Sequence, residues 1–182
     1  MTTLHGQREE RFSALFAGAY CDVLRFAQRR VHPSHAEDAV AEAFLVAWRR
    51  LDEAPLRPGE ARAWLFGITR NCLLSARRGQ HRQDALAVRI RDAAPSPSEE
   101  GLEPDLAVQW LDLVAAWRAL NAGEQEVLAL AVFDELTSPQ AARVIGVTPA
   151  AYRLRLMRAR RALRRHLDPV GAPDCAIQER TT

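Results

Sequence analysis

Apolar residues recur along this chain at spacings of three and four, the period of a helix with one buried face. From Glu9 to Arg30 the positions Phe12, Leu15, Phe16, Tyr20, Val23, Leu24 and Ala27 form one such stripe. Pro33 ends it, because proline cannot continue a helix interior. Ser34 then reads as an N-cap, with Glu37 at the capping-box position. The second helix, His35 to about Leu51, buries Ala36, Val40, Ala43, Phe44, Ala47, Trp48 and Leu51 and exposes Glu37, Asp38 and Glu42. Its acids near the start and Arg49 and Arg50 at the end both suit the helix dipole. Two prolines and a glycine make Asp52–Gly59 a loop. A third helix, Glu60 to about Arg78, turns Trp64, Leu65, Ile68, Cys72 and Leu73 inward, with Ala76 at the end of the stripe. It leaves Arg62, Arg70, Asn71, Ser75, Arg77 and Arg78 for the surface. Gly67 in its middle costs about 1 kcal/mol against Ala, and close helix packing would explain it.

The periodicity fades after Gly79. The segment DAAPSPSEEGLEPD, Asp92–Asp105, holds five acids, three prolines and no base, which is a linker by composition. The periodicity resumes with an amphipathic helix over DLAVQWLDLVAAWRAL, anchored by Leu106, Trp110, Leu113, Val114 and Trp117. Asn121 caps the next helix, with Glu124 at the capping-box position, and Val127, Leu128, Leu130 and Ala131 face inward. The expected architecture is all-α. Two small helical domains, residues 8–80 and 105–168, are joined by a flexible acidic linker at 81–104 and followed by a tail at 169–182. Such a tether lets two domains hold separate stretches of one long ligand.

The last part of the second domain carries the clearest chemistry. Ser138 and Pro139 open a short helix that ends near Ile145, Gly146 fits a tight turn, and Thr148 and Pro149 repeat the start signal for a final helix. On that helix Tyr152, Leu156, Ala159 and Leu163 face the core. Ala150, Arg153, Leu154, Met157, Arg158 and Arg161 lie opposite. No acid occurs from Pro149 to Leu167, while arginine stands at 153, 155, 158, 160, 161, 164 and 165. Like charges four apart repel on a merely solvated face. A helix–turn–helix with such a second helix is a major-groove DNA reader. Arg153, Leu154, Met157 and Arg158 are expected at base edges, and Arg155, Arg160 and Arg161 at phosphates.

Composition narrows the function further. The hydrophobic fraction of 48% supports packed cores, and the net charge of +2 hides a strongly uneven distribution. All 25 basic residues are arginine, a usage that a GC-rich genome accounts for. Cys21, Cys72 and Cys175 are far apart and form no CxxC, so neither a disulfide framework nor a zinc ribbon is indicated. The five histidines make no metal pattern with them. No nucleophile–base pair, phosphate-binding loop or metal set appears, so no catalysis, cofactor or metal is expected. The polar start MTTLHGQREERF and the lack of a long apolar run predict a soluble, cytoplasmic protein. Cys175 lies in a short polar tail, where it reads as an incidental thiol.

Both halves resemble one family, the extracytoplasmic-function (ECF) sigma factors of bacterial RNA polymerase. AEDAVAEAFLVAW (Ala36–Trp48) resembles the family's polymerase-binding helix. ARAWLFGITRNCLLSARR (Ala61–Arg78) resembles its promoter-melting, minus-10-reading helix. LNAGEQEVLAL and the helix–turn–helix after it resemble the minus-35-reading domain. The resemblance covers about Phe12 to Leu167. It implies that Glu37, Asp38 and Glu42 bind core RNA polymerase and that Trp64, Arg70, Asn71, Ser75, Arg77 and Arg78 serve the minus-10 element. It further implies that Arg153, Leu154, Arg155, Met157, Arg158 and Arg161 serve the minus-35 element, and that the Asp52–Gly59 loop captures an unstacked promoter base. The implied partners are core polymerase, promoter DNA and an anti-sigma factor that covers both DNA-reading domains. Ser75, Pro139, Ala141, Ala151, Tyr152 and Leu154 depart from the family pattern, which points to a distinct promoter sequence. The alternative reading is a stand-alone helix–turn–helix regulator, distinguished by whether the chain binds core polymerase.

Overall fold

The computed structural model describes residues 2–77, 87–89 and 104–167, and the described elements are all helical. Of the expected linker, only 87–89 and Pro104 fall among them, and the tail at 169–182 lies outside them, with Cys175. The helices are α1 (Thr2–Gln28), α2 (Pro33–Arg49), α3 (Pro58–Arg77), α4 (Pro104–Ala119), α5 (Ala122–Val132), α6 (Ser138–Ile145) and α7 (Pro149–Leu167). A single 3-10 turn, Leu51–Glu53, follows α2.

Helix ends follow local chemistry, with two shifts from expectation. Pro33 does not merely break α1; it opens α2, because its missing N–H is not needed in the first turn. The cap is then His32, whose Nδ1 accepts from the Ser34 N–H at 3.3 Å, and not Ser34. At α6 the cap is Thr137, one residue before the expected Ser138. The Gln140 side-chain oxygen accepts from both the Thr137 N–H and its hydroxyl. The other caps stand as read. Asn121 and Glu124 exchange hydrogen bonds in a capping box, and the Thr148 hydroxyl accepts from the Ala151 N–H. Gly146 ends α6 at φ 73°, a left-handed conformation open to glycine without steric cost.

The first three helices pack on one another around Val23, Phe26, Ala27, Val40, Ala43, Phe44, Leu65 and Phe66. Phe26 and Phe66 stack with ring centres 4.7 Å apart and planes 9° from parallel. Arginine planes cap this pair: Arg30 lies 3.5 Å from the Phe26 ring centre and Arg62 5.5 Å from that of Phe66. A second aromatic group joins α1 to α2 through Phe12, Phe16, Tyr20, Phe44 and Trp48. Asp22 of α1 accepts from Arg62 of α3 and Arg25 of its own helix. Partial burial raises its carboxyl, but the two arginines outweigh this and hold it below the usual carboxylate range.

The second unit builds its core from Trp117, Leu120, Leu128, Ala129, Ala159 and Ala162. Tyr152 is fully buried and its hydroxyl donates to the Val127 carbonyl at 2.9 Å. Ala131, expected inside, is half-buried; Ala129 takes the core position.

The two units do not stand apart. α3 packs against α6 as extensively as against α2, and one core runs through Leu65, Val127, Leu130, Leu136, Ala141 and Val144. Gly67 of α3 faces Val144 of α6 across this contact, where an added Cβ would lie 3.9 Å from the Val144 Cα, an ordinary contact distance. Polar groups complete the contact. Asp134, in the turn after α5, accepts from Arg29 and Arg30, and its backbone carbonyl accepts from Arg62. Arg70 makes a two-pronged pair with Glu126. Residues 87–89 lie between the units: the Arg89 N–H donates to the Arg29 carbonyl, the Val88 N–H to Gln125, and the Trp117 indole N–H to the Val88 carbonyl. In this arrangement the two expected domains lie against each other, and residues 87–89 of the expected linker bridge them. The reason lies in α3, whose second face presents Ala63, Gly67 and Arg70 to the other unit.

Candidate nucleic-acid interface

α7 holds the exposed arginine-rich face. The capped start at Thr148 and the glycine turn before it set its direction, and Tyr152, Ala159 and Ala162 seat it on α4, α5 and α6. Arg153, Leu154, Arg155, Met157, Arg158 and Arg161 are all exposed, as expected. Met157 is 60% exposed and Leu154 43%, high for large apolar side chains. The six do not form one patch. Arg153, Met157 and Arg161 flank a trough with Ser138 of α6. Arg155 and Arg158 line a groove on the side facing α3, together with Arg70 and Leu74. Tyr152, a departure from the family pattern, is a core residue with no outward face, so it does not touch DNA in this arrangement. Burial pushes its hydroxyl up to about 12.

α3 presents the expected single-strand surface only in part. Trp64 is half-buried and Asn71 exposed; both line a cleft of about 300 Å³ with Gly67 and Ile68. Arg50 and, from the second unit, Arg143 flank the same cleft. Ser75 is exposed. Arg70 is not on the surface: it is 8% exposed and spent on Glu126. Its position on α3 gave no sign of this, because the partner lies 56 residues away. The Arg77 side chain and Arg78 lie outside the described residues. Ala76, expected inward, is exposed at the end of α3.

The loop before α3 is braced. Arg8 clamps Asp52 with one guanidinium nitrogen 2.8 Å from each carboxylate oxygen, and Arg11 donates to the Ala54 carbonyl. Between this loop and α1 lies a cavity of about 500 Å³, lined by Leu15, Ala19, Pro55, Leu56, Gly59 and Ala61. Leu56 at its lip is 86% exposed. Such an apolar recess with a charged rim, set by Arg11, Asp22 and Arg62, suits a planar ring followed by a phosphate.

Glu37, Asp38 and Glu42 are exposed on α2. Asp38, Glu42 and Leu45 follow one another at spacings of four and three, so they share a face. Leu45 is 59% exposed. Leu45 falls outside the apolar stripe of α2 and carries no polar group to mark it, so the sequence reading assigned it no role. Cys72 is buried, and burial pushes its thiol up to about 11, away from reactivity near neutral pH. Among the described residues no cluster of histidine, cysteine or carboxylate side chains could hold a metal ion. No described helix is long and apolar enough to cross a membrane.

Comparison with known proteins agrees with this layout. Residues 15–83 match the Sigma-70 region 2 family and residues 111–163 match Sigma-70, region 4. The probable RNA polymerase sigma factor RfaY of Xanthomonas campestris pv. campestris is 34% identical over 139 residues, which are 72% of this chain and 34% of that protein. The chain thus spans about a third of that relative's length. The ECF RNA polymerase sigma factor SigL of Mycobacterium tuberculosis is 28% identical over 138 residues, covering 76% of this chain and 77% of SigL. The RNA polymerase sigma factor CnrH of Cupriavidus metallidurans is 30% identical over 141 residues, 72% of this chain and 73% of CnrH. A solved structure of CnrH in complex with the cytosolic domain of CnrY superposes with a TM-score of 0.58 at 25% identity, covering 88% of this chain and 89% of that one. With both regions in order on one chain and a relative of this identity matched over most of its length, the protein belongs to the sigma-70 family of RNA polymerase sigma factors, within the extracytoplasmic-function group.

Proposed function

We propose that this chain binds core RNA polymerase and directs transcription from promoters it reads at two elements. The observation that carries this is the exposed face of α7, where arginines alternate with Leu154 and Met157 directly after a capped helix–turn–helix. That face fits a minus-35 duplex, with Arg153, Leu154, Met157 and Arg158 at base edges and Arg155 and Arg161 at phosphates. The Trp64–Asn71 cleft and the recess beside Leu56 fit an opened minus-10 strand, one holding its backbone and the other an unstacked base. Ser75, Arg77 and Arg78 serve the same minus-10 element in this reading. The face of α2 bearing Glu37, Asp38, Glu42 and Leu45 fits a basic polymerase surface with an apolar centre. The chain acts as an initiation factor, and the bond-making chemistry belongs to the polymerase. CnrH is known in complex with the cytosolic domain of CnrY, and an anti-sigma partner of this chain is part of the same reading.

The test is transcription in vitro with core polymerase on fragmented genomic DNA, with start sites mapped. Shared minus-35 and minus-10 motifs upstream of the starts are the expected result. Tight sequence-specific binding by the chain alone, with no affinity for core polymerase, would instead identify a stand-alone regulator.

Two substitutions divide the roles. Arg158→Ala should cost about 1–3 kcal/mol at one base pair of the minus-35 element, measured by competition among single-base promoter variants. A loss shared equally by all variants would move Arg158 to the backbone. Asp38→Arg should weaken capture of core polymerase by at least roughly tenfold, about 1.4 kcal/mol, because it sets like charges face to face. Unchanged capture in a pull-down titration would remove α2 from the docking surface.

A further inference from the structure

In the docked arrangement, the first unit's arginines find their partners on the second unit. Arg30 is fully buried and its guanidinium meets the equally buried Asp134 carboxylate at 2.9 Å. Arg29 takes the other carboxylate oxygen at 2.5 Å, and Arg62 reaches the Asp134 carbonyl. Farther along, Glu126, 3% exposed, holds Arg70 at 2.7 and 3.0 Å. Four guanidiniums, two from the turn after α1 and two from α3, thus converge on one short turn and one helix of the other unit. This is an expensive way to glue two surfaces, since burying charges costs more than apolar packing of the same shape. The Arg29 Nε is buried and has no hydrogen-bond partner among the described residues. A donor that Asp134 leaves unsatisfied is one that a phosphate, with more acceptor oxygens, could reach.

We propose that Arg29, Arg30, Arg62 and Arg70 form a binding strip for a nucleic-acid backbone, and that Asp134 and Glu126 occupy the places of its phosphates while the two units are docked. The strip rests on the reading of this chain as a promoter-binding factor and extends it to Arg29 and Arg30 in the turn after α1. The docked chain is then self-locked. Its own carboxylates cover the strip, α6 covers the inner face of α3, and residues 87–89 clip the Arg29 carbonyl to Trp117 and Gln125. Undocking exposes the strip and frees α7 to be placed independently. The ligand is a polyanion, because four guanidiniums spread over α3 and the turn after α1 match a run of charges and not a single anion.

The experiment uses the full chain without polymerase and a fluorescent single-stranded DNA of random sequence, so it does not depend on promoter recognition. Asp134→Asn with Glu126→Gln keeps the side-chain shapes and removes the charges. This variant should expand by small-angle scattering, keep its helical circular dichroism, and bind the DNA roughly tenfold or more tightly than the parent, the gain falling with salt. Adding Arg29→Ala and Arg30→Ala should cancel much of that gain and flatten the salt dependence by about 1.4 in logarithmic slope, at about 0.7 per phosphate. An expanded variant with no gain, a gain untouched by the arginine changes, or a compact variant that binds like the parent each overturns the proposal. A lock provides a second route should the neutralised chain not fold. Gly67→Cys with Val144→Cys, in a background of Cys21→Ser and Cys175→Ser, places two thiols across the contact where Cβ and Cα are 3.9 Å apart, within disulfide reach. The oxidised chain should bind the DNA more weakly than the reduced one; equal binding overturns the masking. Failure of these tests leaves polymerase capture and promoter transcription unaffected, so it is distinct from failure of the sigma-factor reading.

Discussion

Phe66→Ala should lower the stability of the chain by about 3–5 kcal/mol, the usual cost of emptying a buried aromatic site. Phe66 is 1% exposed and stacked on Phe26. Truncation leaves a void that the helices cannot close, because interiors are packed near crystal density. The loss does not stop at the ring. Arg62 packs on Phe66 and carries hydrogen bonds to Asp22 and to the Asp134 carbonyl. Arg30 packs on Phe26 and carries one to the Asp134 carboxylate. Phe66→Ala removes the ring under Arg62 and leaves Phe26, on which Arg30 packs, without its stacking partner. Thermal unfolding followed by circular dichroism should show a midpoint lowered by roughly 10 °C, at about 2–4 °C per kcal/mol for a chain of this size. Phe66→Leu, which refills most of the volume, should recover more than half of the loss. A midpoint within about 2 °C of the parent for Phe66→Ala, less than the shift of about 1 kcal/mol, would show that the ring stack does not hold α1 to α3.

Tyr152→Ala should cost a similar amount, about 3–5 kcal/mol, but in the second unit and with a different functional result. Tyr152 is the largest buried side chain of α7, and its hydroxyl is the buried partner of the Val127 carbonyl. Tyr152→Phe separates the two contributions. It keeps the ring and leaves that carbonyl one hydrogen bond short, at a cost of about 1–2 kcal/mol. Because Tyr152 faces inward, Tyr152→Phe should leave the base preference of the minus-35 element unchanged when measured below the unfolding temperature. An altered preference in Tyr152→Phe would instead put this side chain at the DNA and contradict its burial.

These two residues also mark how far a sequence reading reaches. Tyr152 was assigned inward from its spacing with Leu156, Ala159 and Leu163, and the structure buries it. Phe66 was absent from the inward stripe of α3. One period of 3.6 allots a helix one buried face, whereas α3 has two, one on α1 and α2 and the other on α6. Phe66, stacked on Phe26 of α1, and Ala63, on the side toward the second unit, are both buried, and a helix buried on both sides has little amphipathicity to detect. The same limit explains Arg70. An arginine at a polar register position reads as surface, and only the approach of Glu126 makes it interior.

Apolar spacing and local turn chemistry suffice for the number and order of the helices after the first residues, for the caps at Asn121 and Thr148, for the glycine turn at 146 and for the outward face of α7. These are local matters. They depend on the spacing of apolar residues and on side chains that satisfy backbone groups a few positions away, and neither needs a distant partner. Only the tertiary structure decided that the two units share a core, that Asp134 and Glu126 meet arginines of the first unit, and that 87–89 clip between them. Those contacts join residues tens of positions apart, such as 30 with 134 and 70 with 126. Their pairing depends on how the surfaces of α3 and α6 fit, with Gly67 set against Val144. A one-dimensional pattern cannot carry that shape, since small residues have the same spacing whether or not a second helix comes to rest on them.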